Sequence, residues 1–105
     1  AYNWGTSSIN SLGIGNLASG YTYGIRGRMD ELAIWSVALS GAQILAHYNS
    51  GVTVSPELTE PSNLYWWWRM GDSVQDVFPT IVDAQGNNNL TMYNMSASDI
   101  VTDAP

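Results

Sequence analysis

The chain has no cysteine among its 105 residues, which excludes disulfides, thiolate nucleophiles and Cys-ligated metals. It has no lysine either: Arg26, Arg28 and Arg69 stand against nine acids, for a net charge of −6. Phosphate recognition needs clustered basic side chains, so nucleic acid is excluded as a partner, and an anionic membrane surface with it. No apolar run approaches the roughly 20 residues that span a bilayer. The chain opens on Ala1 with no basic-then-apolar leader, which reads as a processed product or as part of a longer polypeptide. What it has instead is polar but neutral. Only 11% of residues are charged, while Ser, Thr, Asn and Gly abound beside six Tyr and five Trp. That balance suits an extracellular or virion-surface β protein of one domain's length.

Residues 1–25 alternate short β-prone pieces (Ile14-Gly15-Asn16, Tyr21-Thr22-Tyr23) with Gly, Ser and Asn, as antiparallel sandwiches do. Residues 28–36 read as a strand with apolar residues on both faces; Met29, Glu31, Ala33 and Trp35 face one way, Asp30, Leu32 and Ile34 the other. Next comes a helix over about 41–49. Ser40 is a good N-cap, Gln43 completes a capping box, and Leu39 with Ile44 forms a hydrophobic staple. Ile44, Leu45 and Tyr48 should line its packed face, and Asn49-Ser50-Gly51 its left-handed exit. His47 reads as a solvated histidine favoured by the helix dipole rather than an acid/base group. Pro56 and Pro61 make residues 52–62 a linker. Beyond it lie an aromatic strand, Leu64-Tyr65-Trp66-Trp67-Trp68, then short strands at 80–83 and 90–93 around an Asn-rich turn, then an acidic tail. Trp66 and Trp68 share one face of their strand and Trp67 takes the other, so both faces must be covered or bind something.

Two stretches resemble laminin-G-like, concanavalin-A-like jelly-roll domains. Gly27-Arg28-Met29-Asp30-Glu31-Leu32-Ala33-Ile34-Trp35, followed by Leu39-Ser40-Gly41-Ala42-Gln43-Ile44 and Tyr48-Asn49-Ser50-Gly51, is similar to the family's closing segment. Tyr65 to Asp72 and Thr80 to Thr91 are similar to its opening segment, with Leu90 where a glycine is usual. The order is therefore end of domain (1–51), linker (52–62), start of domain (63–105), without the middle strands. The second half, with Trp68-Arg69-Met70-Gly71-Asp72, Asn94-Met95 and Asp99 to Pro105, also resembles the tail of structural proteins from marine tailed bacteriophages. The resemblance implies an all-β, antiparallel jelly-roll-type sandwich, incomplete in itself, with one short helix. It also implies that first and last strands lie side by side, so that 64–70 pairs with 28–35.

Catalysis is not expected. A glycosidase needs two carboxylates flanking one bond, and Asp30 and Glu31 are adjacent on a strand and face apart. Asp72 is the one more distant partner considered. A structural role is expected for Asp30, Glu31, Trp35, Ser40 and Gln43, with Asp30 capping amides or pairing with Arg26 or Arg28. Calcium, the one possible cofactor, has oxygen ligands available at Asp83, Asn87, Asn88 and Asn89. Such Asn-rich turns also form without metal, because Asn bonds its own backbone, and that reading is preferred. Tyr21, Tyr23, Trp67 and Tyr93 are the candidate aromatics for a sugar ligand. Asn89-Leu90-Thr91 and Asn94-Met95-Ser96 fit the N-glycosylation pattern, a coincidence if the source is a bacteriophage. The expected function is thus a non-catalytic virion-surface module, capsid decoration or tail fibre, with glycan adhesion as a further expectation. Its partners would be other virion or surface proteins, in an oligomer or as part of a longer chain. The alternative is an extracellular carbohydrate-binding domain of a larger adhesin or enzyme. The three tryptophans are expected to be buried in the assembly, at least one of them against another chain.

Overall fold

The computed structural model describes residues 13–15, 24, 26–52 and 54–102. Among these, two small antiparallel sheets and one short helix surround a core centred on the aromatic strand. Strand β1 (Leu32–Trp35) pairs with β2 (Leu64–Trp68), the pairing expected from the resemblance. The register sets Leu32 opposite Trp68, Ala33 opposite Trp67 and Ile34 opposite Trp66, then slips at a bulge so that Trp35 meets Leu64. The second sheet joins β3 (Thr80–Ile81) to β4 (Leu90–Thr91). A single bridge between Trp68 and Asp83 carries the hydrogen bonding from β2 towards this second hairpin.

β1 is shorter than expected at its start. Glu31 takes a left-handed backbone (φ 47°), so the extended run begins only at Leu32, and the alternation assigned to Met29, Asp30 and Glu31 does not hold. Asp30 accepts a hydrogen bond from the Glu31 N–H (2.9 Å), which holds this kink.

The helix α1 (Gly41–Tyr48) forms where its local signals put it. Ser40 Oγ accepts from the Gln43 N–H (3.2 Å) and Gln43 Oε1 accepts from the Ser40 N–H (2.7 Å), closing the capping box. Asn49 ends the helix in left-handed geometry and returns its N–H to Leu45. The packed face differs from expectation. Leu39, Gln43 and His47 are half-buried, whereas Ile44, Leu45 and Tyr48 are 58%, 67% and 66% exposed. The reason is the anchorage of that side: Gln43 donates to Glu60 (2.9 Å), and the His47 ring lies 5.3 Å from that of Trp35. His47 is accordingly a wall residue, not the solvated histidine expected.

The proline-bearing segment between α1 and β2 is packed rather than extended. It folds into two 3₁₀ turns, Pro56–Leu58 and Pro61–Asn63, each with proline where a missing N–H costs nothing. Pro56 and Thr59 are buried, and the Trp35 indole N–H donates to the Thr59 carbonyl (2.8 Å). Glu60 gathers Gln43 and Asn63 onto its two oxygens, tying helix, turns and β2 together.

The tryptophans divide as strand alternation requires. Trp66 stacks on Trp68 at 5.7 Å, while Trp67 points the other way and donates its indole N–H to Glu31. Trp68 is 1% and Trp67 8% exposed within this single chain, so neither needs a second chain to cover it, while Trp66 is half-buried. Burying two such side chains supplies the largest apolar contribution here, several kcal/mol on the usual scale of about 25 cal/mol per Å².

Candidate functional site

The Asn-rich turn after β3 is organised by one carboxylate. Asp83, 2% exposed, accepts four backbone N–H groups: Trp67 (2.9 Å) and Gln85 (3.0 Å) on Oδ1, Asn87 and Asn88 (3.0 Å each) on Oδ2. Burial pushes this carboxyl's pKa up, but the amides of Trp67, Asn88, Gln85 and Asn87 together outweigh it and hold the value below the ordinary 3.8. The asparagines are committed in the same way. Asn89 Oδ1 accepts from the Asp83 N–H (3.0 Å), Asn87 Nδ2 donates to the Tyr65 carbonyl (2.6 Å), and the Asn88 carbonyl takes the Trp68 indole N–H (2.8 Å). Four donors already occupy the lone pairs that a calcium ion would need from Asp83, and the geometry matches a turn built on backbone amides. This loop is a clamp that locks β2 in place.

A second carboxylate works in the same way. Asp76 accepts from the Gly71 N–H (2.9 Å) and the Val82 N–H (2.7 Å), drawing the turn after β2 against the start of the hairpin. Sequence reasoning passed over Asp76; its signal, an acid four residues beyond a Gly-Asp turn, is too common to single out.

Asp30, Glu31 and Asp72 are brought together, with one carboxylate oxygen of each within 4.8 Å of the others. Asp30 and Glu31 therefore do not face apart, because the kink at Glu31 replaces strand alternation there. Glu31 is engaged on both oxygens: Oε1 lies 3.5 Å from Arg69 Nε, and Oε2 accepts the Trp67 indole N–H. The Arg69 guanidinium also lies over the Trp67 ring, 5.7 Å from its centre. Asp30 caps the Glu31 amide, one of the two roles expected for it, while Glu31 and Arg69 form an ion pair between residues 38 positions apart that no local pattern announces.

Of the aromatics considered for a sugar, Trp67 is buried under Arg69 and offers no open face, Tyr93 is 55% exposed, and Tyr21 and Tyr23 lie outside the described residues. Tyr65, not singled out from sequence, is 51% exposed and packs edge-on against Trp66 at 4.8 Å.

A groove of about 540 Å³ lies between α1 and β1. Leu32, Trp35, Ile44, Tyr48, Val52 and Val54 form its apolar walls, His47 contributes a ring edge, and Asp30 and Glu31 stand at its rim. His47 Nε2 is buried there without a hydrogen-bond partner. Chemically the groove can hold an apolar group, with one ring nitrogen and a band of negative charge to orient it. Compared with known proteins, the chain matches no family model, no curated protein and no solved structure.

Proposed function

We propose that the chain is a non-catalytic structural module that docks into a larger assembly, of the virion-surface kind its sequence resembles, as capsid decoration or tail-fibre component. The observation that carries this reading is helix α1. An eight-residue helix is marginal in water on its own and normally owes its stability to a buried apolar face. None of its residues is buried, and Ile44, Leu45 and Tyr48 lie open beside the groove, with Val52 60% exposed next to them. A contiguous apolar surface of this kind marks an interaction site. In this reading the two small sheets belong to a laminin-G-like jelly-roll sandwich that a longer polypeptide or a neighbouring chain completes. No helix among the described residues is long and apolar enough to cross a membrane, which is compatible with a place on a particle surface.

The half-exposed rings of Tyr65 and Tyr93 support a second reading, an extracellular carbohydrate-binding domain that stacks pyranose faces on them. Gradient sedimentation of source lysate, combined with a glycan array, separates the two. Co-sedimentation with particles and a silent array support the docking module. Saturable glycan binding that Tyr65→Ala abolishes, with the chain remaining in the soluble fraction, replaces it with the lectin.

A further inference from the structure

We infer that the groove between α1 and β1 takes an apolar side chain of a partner protein that carries a basic side chain beside it. This rests on the reading of the chain as a docking module and names the partner's chemistry. The groove floor and walls are hydrocarbon, from Leu32, Trp35, Ile44, Tyr48 and Val52. Its rim is acidic, since Asp30 and Glu31 line it and Asp72 joins them within 4.8 Å. Glu31 of this trio pairs with Arg69, which lies 3.5 Å away and is turned over Trp67. The chain as a whole carries a net charge of −6, and Asp30 is exposed at the rim to meet a newcomer. A second copy of this chain is a poor occupant, because it brings another net −6 and no lysine. An apolar anchor with an adjacent Lys or Arg satisfies both surfaces at once: the anchor fills the groove and the cation reaches the rim.

Three amphiphiles of equal tail length serve as probes: octylammonium, octanol and octanoate, titrated into the full chain and followed by NMR. The expected result is saturable shifts at Ile44, His47 and Tyr48, with octylammonium binding up to about fivefold tighter than octanoate, the scale of one surface ion pair. That preference should shrink in about 1 M salt, where the screening length falls to roughly 3 Å. Asp30→Asn should reduce the preference without changing octanol binding, and Ile44→Gln should weaken all three. Val77→Gln, at a remote and exposed position, should change none of them. Ile44 is more than half exposed, so its replacement leaves the fold intact, and circular dichroism checks this. Equal binding of all three probes overturns the inferred cation while leaving docking to the sedimentation result. Absence of any saturable shift in the groove overturns the inference altogether.

Discussion

Replacing Asp83 by Asn is the sharpest perturbation of this fold, because it conserves shape and removes only acceptor capacity. Each carboxylate oxygen takes two backbone N–H groups, Trp67 and Gln85 on one, Asn87 and Asn88 on the other. Whichever oxygen becomes an amide NH₂, two N–H groups, buried at Trp67 and part-buried at the others, then face a donor. An unsatisfied buried donor costs about 1–3 kcal/mol, so the pair costs roughly 2–6, and the surviving bonds weaken because their acceptor is now neutral. Against a domain stability of about 5–15 kcal/mol this is a large fraction. At about 4–8 °C per kcal/mol, a midpoint loss of about 4 kcal/mol lowers Tm by roughly 16–32 °C. The assay is thermal unfolding followed by tryptophan fluorescence at neutral pH, with chelator present so that metal plays no part. The pH dependence has a definite sign. The folded-state pKa of Asp83 lies below its ordinary 3.8, so its contribution is fully present above 3.8 and is lost as pH falls through the lowered value. The gap between wild type and Asp83→Asn should therefore stay constant from about pH 5 to 8 and narrow below 3.8. A Tm within about 3 °C of wild type would refute the clamp, since it is less than one lost hydrogen bond predicts.

Three further outcomes follow from the same contacts. Calcium and chelator should leave the wild-type melting curve unchanged, because the turn oxygens are already occupied by N–H donors; a stabilisation that rises with calcium concentration would restore the metal reading. Gly71→Ala should destabilise by several kcal/mol or abolish folding, since φ is 125° and a Cβ would stand 2.3 Å from the Val101 carbonyl oxygen; denaturant titration measures it. Ser40→Ala should cost about 1 kcal/mol in the same titration, the usual worth of an N-cap, and should lower helical circular dichroism only slightly.

The legible features were those whose causes are local. The capping box, the staple and the left-handed exit of α1 all lie within ten residues, and the helix ends within one residue of expectation. The β1–β2 pairing was legible only through resemblance, since nothing local tells Leu32 to meet Trp68. The kink at Glu31 was not legible, because glutamate carries no preference for positive φ and the kink is held by Asp30. Nor were the groups that cover Trp67, whose burial was expected: Glu31 and Arg69 arrive from different segments. The helix face was misassigned for a related reason. Apolar periodicity picks out Ile44, Leu45 and Tyr48, but the contacts that seat α1 run through Gln43 and His47 to Glu60 and Trp35. The apolar stripe, expected as the packed face, lies exposed in this chain. At the Asn-rich turn, residue type alone left metal and backbone donors as alternatives, and four N–H contacts to Asp83 favour the second.

The claim that the open face of α1 is a docking surface is tested most directly by photo-cross-linking within the native particle. A photoreactive residue placed at Leu45, 67% exposed on that face, reports whatever lies against it. The same group at Val77, equally exposed but remote, is the control. The account predicts a discrete adduct to a partner protein from position 45, identified by mass spectrometry, and none from position 77. Adducts of equal yield from both positions, or none from position 45 in a preparation where the chain co-sediments with particles, would contradict it.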